Sequence, residues 1–409
     1  MEVSHIRSFG LALLLALLLL TAHSCAETLI TVRSTAPTVP PLIQAGGSFG
    51  LARASDGSIW GWGDNARGQL GNGTTLRVRV PSPAAVTLDG KEIADIACGN
   101  VATLFLMADG TVYSCGGNNY GQQAQPQQVS VVKTPVQIPE LNDIVQIASG
   151  FGQCLALDAE GNVYAWGRNS NGQLGLGDKK NRHTPEKLAL SDIVSIQCGG
   201  KYCMAMDREN VIYGWGDNEY GQLGNTGNAR NLLRPEILSF SGQFSVIACG
   251  GDTAYGLDYD GKLYAWGRND YYQLGNPNIG KMTSTPVPVA LPDKVKIAKI
   301  QAYNAHVGVI TQEGALWQWG SVYHGQVGNG LTKSKALPQA ACPENGVTLF
   351  DVGSLQSYFV SVDGEVFGAG CNEYSQTGAF KWRTDYYVRE WKDTGLNLQT
   401  GTWQDPKND

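Results

Sequence analysis

The sequence carries little charge and no concentrated block of one sign. Asp, Glu, Lys and Arg make up 16% of its 409 residues, and the formal net charge at pH 7 is −6. Soluble proteins usually contain about a quarter charged residues, and domains that bind nucleic acid usually present a clustered basic surface. No Lys- or Arg-rich run occurs in the chain. We therefore expect no nucleic-acid partner.

The signatures of the common catalytic and metal sites are also missing. The sequence contains no C-x-x-C or H-x-x-x-H pair, no phosphate-binding loop and no dinucleotide-binding fingerprint. Residues 46–50 match the G-x-S-x-G nucleophile pattern, but Ser48 begins a repeated strand rather than a strand-to-helix turn. His306 and His324 are too isolated to predict a metal or catalytic pair. We expect no enzyme, no cofactor and no metal site.

Long apolar runs are absent except for one near the start, over residues 9–20. Such a run is too short to span a bilayer and is typical of the core of a signal peptide. We expect residues 1–26 to be a signal peptide and residues 27–41 to be a linker or a closing strand. The alternative is a lipoprotein with its lipid on Cys25, which is the only membrane link we expect. Both routes predict a secreted or cell-surface protein.

Eight cysteines follow Cys25, and an even number in an exported chain is compatible with disulfides. Cys98, Cys198 and Cys249, however, recur at one repeated position where other copies have Ala or Ser. We therefore interpret them as small buried residues of a repeated strand. No pairing follows from the sequence.

Glycine is abundant, with 52 residues, and it marks an internal repeat. A phrase of the form W-G-x-N-x-x-G-Q-L-G recurs every 49–53 residues, and a second phrase with an acidic-Gly pair precedes each copy. The seven copies run from residue 42 to about residue 380. The Trp position of the phrase is occupied in turn by Trp62, Cys115, Trp166, Trp215, Trp266, Trp319 and Ala369.

Each copy predicts about four β-strands. The acidic-Gly pair is typical of a tight hairpin, and Asn210 replaces Gly in the fourth copy because Asn also tolerates a left-handed backbone. A single copy is too small to bury both faces of its sheet, so the copies must stack. We predict an all-β, seven-bladed β-propeller over 42–395 and a C-terminal tail over 396–409. Residues 28–34 and 386–391 are the two candidates for a strand that closes the ring.

The repeated phrase predicts both packing and loop structure. We expect the Trp to pack between neighbouring sheets, the Asn to hold the backbone of the following loop, and the glycines to permit its sharp path. The sixth and seventh copies are the least regular, with Val322 at the Asn position and Ala369 at the Trp position. Either ring closure or a partner site would explain this irregularity.

The segment ALDAEGNVYAWGRNSNGQLGLGD at 156–178 resembles the repeat of the regulator of chromosome condensation family, as do all seven copies. The resemblance implies a seven-bladed propeller. The founding member of the family is a nuclear exchange factor for a small GTPase and docks on nucleosomes. This chain has no basic tail and no long insertion, so we expect no guanine nucleotide exchange. The family often has His at one repeated position that only the sixth copy keeps, as His306.

The candidate partner-binding residues lie five positions after each Trp position. Tyr contributes contact area with little loss of entropy, which is why binding hot spots favour it. The alternative is that these residues pack over the next glycine as part of the repeat. Tyr272 and Tyr323 lie beside two of them. The seven positions hold Arg67, Tyr120, Asn171, Tyr220, Tyr271, His324 and Tyr374.

These features predict an exported, non-enzymatic scaffold that binds another protein through loops on one face. One alternative is a lectin-like propeller that binds cell-surface glycans with its aromatic rim. Another is an inhibitor of a secreted enzyme, as in the secreted bacterial propellers that inhibit β-lactamase, which the chain resembles in architecture and location. Asn72, in an N-G-T sequon, is a glycosylation candidate if the host is eukaryotic.

Overall fold

The structure is a computed structural model that describes residues 39–85, 88, 92–224, 230–293, 295–342, 346–379 and 386–406. The predicted signal peptide, the lipidation candidate Cys25 and the candidate strand 28–34 lie outside the described residues. Within the described ranges, no helix is long and apolar enough to cross a membrane.

The described residues form seven antiparallel sheets, here called blades 1 to 7, each built from consecutive strands. Blades 1 and 2 comprise β1 (Leu42–Ala45), β2 (Phe49–Arg53), β3 (Ile59–Gly63), β4 (Val78–Pro83), β5 (Ile93–Cys98), β6 (Ala102–Met107), β7 (Val112–Gly117) and β8 (Val131–Gln137). Blades 3 and 4 comprise β9 (Ile144–Ser149), β10 (Gln153–Asp158), β11 (Val163–Gly167), β12 (Arg182–Lys187), β13 (Ile193–Cys198), β14 (Tyr202–Asp207), β15 (Ile212–Asp217) and β16 (Asn231–Ile237).

The remaining three blades follow the same plan, and the last has an extra strand. Blades 5 and 6 comprise β17 (Phe244–Cys249), β18 (Thr253–Asp258), β19 (Leu263–Arg268), β20 (Met282–Pro288), β21 (Ile297–Tyr303), β22 (His306–Thr311), β23 (Leu316–Gly320) and β24 (Gln339–Cys342). Blade 7 comprises β25 (Val347–Val352), β26 (Gln356–Ser361), β27 (Glu365–Cys371), β28 (Tyr387–Asn397) and β29 (Thr402–Trp403).

The first strand of every blade lies at the centre of the ring. In each blade the strands are hydrogen-bonded in chain order, and the first strands of neighbouring blades contact one another from β1 round to β25 and back. The predicted all-β, seven-bladed propeller of four-stranded blades is therefore confirmed. Cys98, Cys198 and Cys249 end three of the central strands, as the repeat predicts. Cys98 and Cys249 are buried, whereas Cys198 is only partly buried.

The hairpins between second and third strands have the predicted turn. Gly57 has φ +85°, and Asn210, which replaces the turn Gly in blade 4, has φ +62°. Asn tolerates this left-handed backbone better than other residues with a side chain, so the Asn exception is confirmed as part of the repeat.

Blade 7 extends beyond the boundary predicted at residue 395. β28 continues to Asn397 and β29 pairs with it, so part of the predicted tail 396–409 belongs to the sheet. Leu396 and Leu398 are fully buried in an apolar cluster shared by blades 7 and 1. Burying these two leucines is favourable, and it explains why the chain continues the sheet instead of leaving it.

The ring closes by contact between two complete blades. Residues 386–391, one of the two closure candidates, instead begin the fourth strand of blade 7, where Val388 pairs with Gly370. Across the closure the Ala45 N–H donates to Asp351 Oδ2 at 2.7 Å, and Gln356 Nε2 donates to the Gly46 carbonyl at 3.0 Å. Among the described residues, side-chain and backbone hydrogen bonds therefore join blades 7 and 1 without a shared strand.

A buried Trp links each of five blades to the blade before it. In blade 5, Trp266 lies at a bulge between β19 and β20 and is fully buried. Its indole Nε1–H donates to the backbone carbonyl of Gln222, in the G-Q-L-G loop of blade 4, at 2.9 Å. Trp62, Trp166, Trp215 and Trp319 make the same bond to the preceding blade at 2.9–3.1 Å. The predicted packing of Trp between sheets is confirmed.

Blade 7 lacks a Trp at the repeated position, and a Trp from a different strand of the same blade takes its place. Ala369 stands at the Trp position, and Trp391 of β28 supplies the aromatic ring. The Trp391 indole donates to the carbonyl of Ala341 in blade 6 at 3.1 Å, and its ring packs against Gly328 of the blade 6 loop. The junction between blades 6 and 7 therefore keeps an indole-to-carbonyl bond despite the departure in sequence.

His306 is hydrogen-bonded to blade 7 from the first position of its second strand, and the residues at this position in other blades also bond to the next blade. Its Nε2 lies 3.0 Å from Ser357 Oγ. The equivalent Gln153 donates to the Gly199 carbonyl of the next blade at 2.8 Å, as Gln356 does to Gly46. His306 is 1% exposed, and burial lowers its pKa to about 3. The histidine is therefore neutral in the folded protein and acts as a junction residue.

We predict that acid destabilises the protein through His306. The pKa of His306 is lower in the folded than in the unfolded protein. The free energy of unfolding is therefore unaffected by this histidine above about pH 6.5 and decreases as the pH falls towards 3, because the unfolded state binds the proton first. At pH 5 the loss amounts to about 2 kcal/mol of unfolding free energy. His306→Gln, which copies Gln153, should lose less stability than the wild type between pH 7 and pH 5, measured by urea unfolding.

The matched control is His183→Gln, since His183 is only partly buried. This control should follow the wild-type pH profile. An His306→Gln profile that also matches the wild type would show that His306 does not carry the pH dependence.

Candidate functional site

The antiparallel blades present two different faces. The loops between first and second strands and between third and fourth strands end at one face, here called the loop face; in blade 1 they are 46–48 and 64–77. The hairpins between second and third strands, such as 54–58, lie on the opposite hairpin face. Every hairpin repeats the same acidic turn, whereas the loop face varies from blade to blade.

A buried Gln holds the candidate residue of every blade in the same place. In blade 5, Gln273 is 2% exposed and its Oε1 accepts the backbone N–H of Tyr271 at 2.8 Å. The six equivalent bonds measure 2.7–3.0 Å and involve the N–H groups of Arg67, Tyr120, Asn171, Tyr220, His324 and Tyr374. All seven candidate residues therefore occupy equivalent places on the loop face.

The repeated geometry of the loop also depends on the predicted Asn. Asn269 Oδ1 accepts the Leu274 N–H at 3.0 Å, while its Nδ2 donates to the Gly280 carbonyl at 2.8 Å. The equivalent Asn65, Asn118, Asn169 and Asn218 accept the same backbone bond at 2.8–3.0 Å. The prediction that this Asn holds the loop is confirmed.

Arginines from neighbouring blades stack on three of the candidate tyrosines. The guanidinium of Arg168 lies 5.0 Å from the ring centre of Tyr120, and that of Arg268 lies 4.7 Å from that of Tyr220. Arg77 stacks in the same way over Tyr374, at 5.0 Å. Such cation–π contacts hold the rings in place. The loop face therefore carries three separate Arg–Tyr stacks.

Three candidate residues do come together, in a pocket of about 250 Å³ between blades 5, 6 and 7. Tyr271 and Tyr323 meet edge to face with ring centres 5.8 Å apart. Tyr323 is 52% exposed, and Tyr272, which follows Tyr271 in the chain, is also exposed. The pocket is lined by Tyr271, Tyr323, His324, Arg268, Asp252 and Leu355, together with small and amide side chains.

The charged groups of this pocket are paired. Arg268 donates to Asp270 Oδ2 at 2.7 Å and to Asp252 Oδ2 at 3.3 Å. Burial lowers the Arg268 pKa, but the bonds to the two aspartates outweigh it and the pKa is raised. Burial, aided by the positive charge of Arg389, lowers the pKa of His324. A fixed arginine and a neutral histidine therefore flank the aromatic pair at neutral pH.

The sequence did not predict the role of the loop-face arginines. Arg168 and Arg268 lie two positions after the Trp of their blades, a place that varies between Asp, Gly, Arg, Ser and Cys. That variation was the available signal. Asp252 and Leu355, in contrast, occupy loop positions between first and second strands where the residue varies from copy to copy, which makes them candidates from the sequence. The ring geometry brings them beside Tyr271 and Tyr323.

The other sequence candidates lie elsewhere. Asn72 is partly buried in the blade 1 rim loop, where its Oδ1 accepts the Thr74 N–H at 3.1 Å and Asn65 Nδ2 at 3.0 Å. Its glycosylation stays a prediction. Ser48 lies in the loop between β1 and β2, not in a strand-to-helix turn. Within the described ranges, no group of three His, Cys, Asp or Glu side chains could hold a metal ion.

The fold and the loop face define a repeat propeller of the protein-interaction type, with a rigid ring that presents variable loops. A family model described as the RCC1-like domain matches residues 21–354. The chain belongs to this family.

Known relatives share the repeat over most of this chain. The ultraviolet-B receptor UVR8 of Arabidopsis thaliana is 33% identical over 355 residues, which cover 83% of this chain and 80% of the receptor. The human E3 ubiquitin-protein ligase HERC2 is 30% identical over 80% of this chain, which spans only 7% of the ligase. The crystal structure of Prp20p from Saccharomyces cerevisiae has a TM-score of 0.72 and 25% identity, and covers 82% of this chain and 85% of Prp20p.

Proposed function

We propose that this protein is an exported, non-enzymatic scaffold that binds a partner protein through its loop face. The observation that carries the proposal is the pocket in which Tyr271 and Tyr323 meet beside His324. Partly exposed aromatic side chains around a preformed pocket are typical of binding hot spots. The similarity to Prp20p supports the proposal, since that yeast protein binds Gsp1p and histones.

The size of the pocket favours a protein partner. Pockets for small molecules usually measure about 300–1,000 Å³, whereas this one measures about 250 Å³. It suits one or two side chains that project from a partner surface. The surrounding rim, with its stacked Arg–Tyr pairs, offers the wider contact that a protein interface needs.

The loop face is a better candidate than the hairpin face because its rim is both rigid and variable. The buried Gln of each loop fixes the backbone, together with the Asn in every blade except blade 6, while the residue at the rim changes from Arg to Tyr, Asn or His. Ordered side chains lose little entropy on binding. Specificity for one partner then follows from the side chains of blades 5 to 7, where the pocket lies.

Export is the second part of the proposal, and the apolar run over 9–20 supports it. Expression of the full chain in a secretory host tests it by mass spectrometry of the mature N-terminus. A start at Glu27, or a lipid on Cys25, is the expected result. An unprocessed chain that stays in the cytosol would contradict export.

The binding test uses the mature protein as bait for proteins of the culture medium and the host-cell surface, with chemical cross-linking. The test variant carries Tyr271→Ala and Tyr323→Ala, which remove the edge-to-face pair. We expect it to bind the recovered partner at least about tenfold more weakly than the wild type, because two hot-spot side chains are lost.

The control variant is Tyr259→Ala, since Tyr259 is 60% exposed but lies in the hairpin face of blade 5. It should bind like the wild type. Equal recovery of the partner by all three proteins would exclude the pocket. A glycan array that binds the wild type but not the double variant would favour the lectin-like alternative, and inhibition of a secreted hydrolase would favour the inhibitor.

A further inference from the structure

Two cysteines in blade 4 face each other across neighbouring strands. Cys198 ends β13 and Cys203 lies near the start of β14, and the two are direct partners in the register of these strands. Their Sγ atoms are 3.6 Å apart. The adjacent pair, Gly199 and Tyr202, is joined by a bond from the Gly199 N–H to the Tyr202 carbonyl at 2.9 Å.

That bond defines the type of site that the cysteines occupy. Hydrogen-bonded and non-hydrogen-bonded pairs alternate along an antiparallel ladder, so Cys198 and Cys203 form a non-hydrogen-bonded pair. In such pairs the Cα atoms lie about 4.5 Å apart and the side chains approach closely. This separation falls within the 4.4–6.8 Å that a disulfide requires. Rotation of the thiols about their Cα–Cβ bonds is then enough to bring the sulfurs together.

We propose that Cys198 and Cys203 form a redox-active pair that closes to a disulfide on reaction with a small disulfide oxidant. Cys198 is the more accessible of the two thiols, because it is partly exposed whereas Cys203 is fully buried. Burial and the neighbouring Cys203 raise the pKa of the Cys198 thiol, so its attack is slow and accelerates as the pH rises. In its thiolate form Cys198 attacks the oxidant, and one half of the oxidant leaves as a thiol. Cys203 then attacks the mixed disulfide at the Cys198 sulfur and releases the second half. Two S–H bonds are lost and one S–S bond forms; two electrons and two protons reduce the oxidant to two thiols.

The pair is specific to blade 4 among the described blades. The equivalent positions hold Ser149 and Cys154 in blade 3, with Oγ and Sγ 3.7 Å apart. Blade 2 has Cys98 opposite Thr103, and blade 5 has Cys249 opposite Ala254. Since the backbone register is the same, these blades show which residues the position tolerates, and only blade 4 supplies two thiols.

The disulfide would fasten a turn of the loop face. The bond encloses Gly199–Tyr202, and this turn carries Lys201. The Cys203 Sγ lies 3.4 Å from the Gln173 carbonyl, which also accepts the Trp215 indole at 2.9 Å. The shorter indole bond remains when the sulfur turns towards Cys198, so the junction of blades 3 and 4 is preserved. Oxidation therefore modifies the turn without opening the ring.

The experiment treats the folded mature protein with oxidised glutathione, blocks remaining thiols after denaturation, and maps the tryptic peptides by mass spectrometry. Trypsin cleaves after Lys201, so the two cysteines fall in separate peptides, 188–201 and 202–208. We expect these peptides to remain linked after oxidation and to separate after reduction with dithiothreitol. Two matched variants complete the design.

Cys198→Ser copies the natural pair of blade 3 and should fold normally but give no linked peptides. Ser149→Cys places a second thiol opposite Cys154 in the same register. After oxidation the mass of this variant should show the loss of two more hydrogen atoms than the oxidised wild type, because a second disulfide forms. Absence of the 188–201 and 202–208 link in the oxidised wild type would overturn the proposal. So would a stable glutathione adduct on Cys198, or a link from either cysteine to a third one in the folded protein.

Discussion

The structure depends on one contact, the bond from a buried indole N–H to the backbone carbonyl of a Gln in the preceding blade. In blade 5 this bond joins Trp266 to Gln222. The same Gln222 uses its side-chain oxygen to accept the backbone N–H of Tyr220 at 2.9 Å. A single buried residue therefore connects the packing of two blades with the position of a residue on the loop face, and five of the junctions repeat this arrangement.

Blades 6 and 7 depart most from the repeat, at their common junction and at the pocket. Blade 7 has no Trp at residue 369, and Trp391 supplies the indole from the fourth strand. Blade 6 has Val322 in place of the loop Asn, and the neighbouring Tyr323 and His324 line the pocket. In blade 7 the indole bond to blade 6 is therefore kept from a different strand, and blade 6 provides pocket side chains that the regular repeat does not supply.

The contacts within a blade could be predicted from the sequence, because they recur at every copy. The Trp packing, the Asn that holds its loop and the left-handed Asn210 all follow from the spacing of one phrase. The contacts between side chains of different blades could not be predicted, because the repeat pattern does not indicate which residues of the neighbouring blade a side chain contacts. The stacking of Arg268 on Tyr220 joins residues 48 positions apart in different blades. The extension of blade 7 past residue 395 depends on burial of Leu396 against the first blade, which no local pattern shows.

The most direct test of this account is hydrogen–deuterium exchange of the Trp266→Phe variant. Loss of the indole N–H leaves the Gln222 carbonyl without its bond from blade 5, while the phenyl ring keeps much of the packing. The account predicts faster exchange in the blade 4 loop around Tyr220, and a loss of about 1–3 kcal/mol in unfolding free energy. Trp60→Phe, which removes only a partly exposed bond to Ser58 within blade 1, should leave that loop unchanged. Unchanged exchange around Tyr220 in the Trp266→Phe variant would contradict the claim that the blade junctions position the loop face.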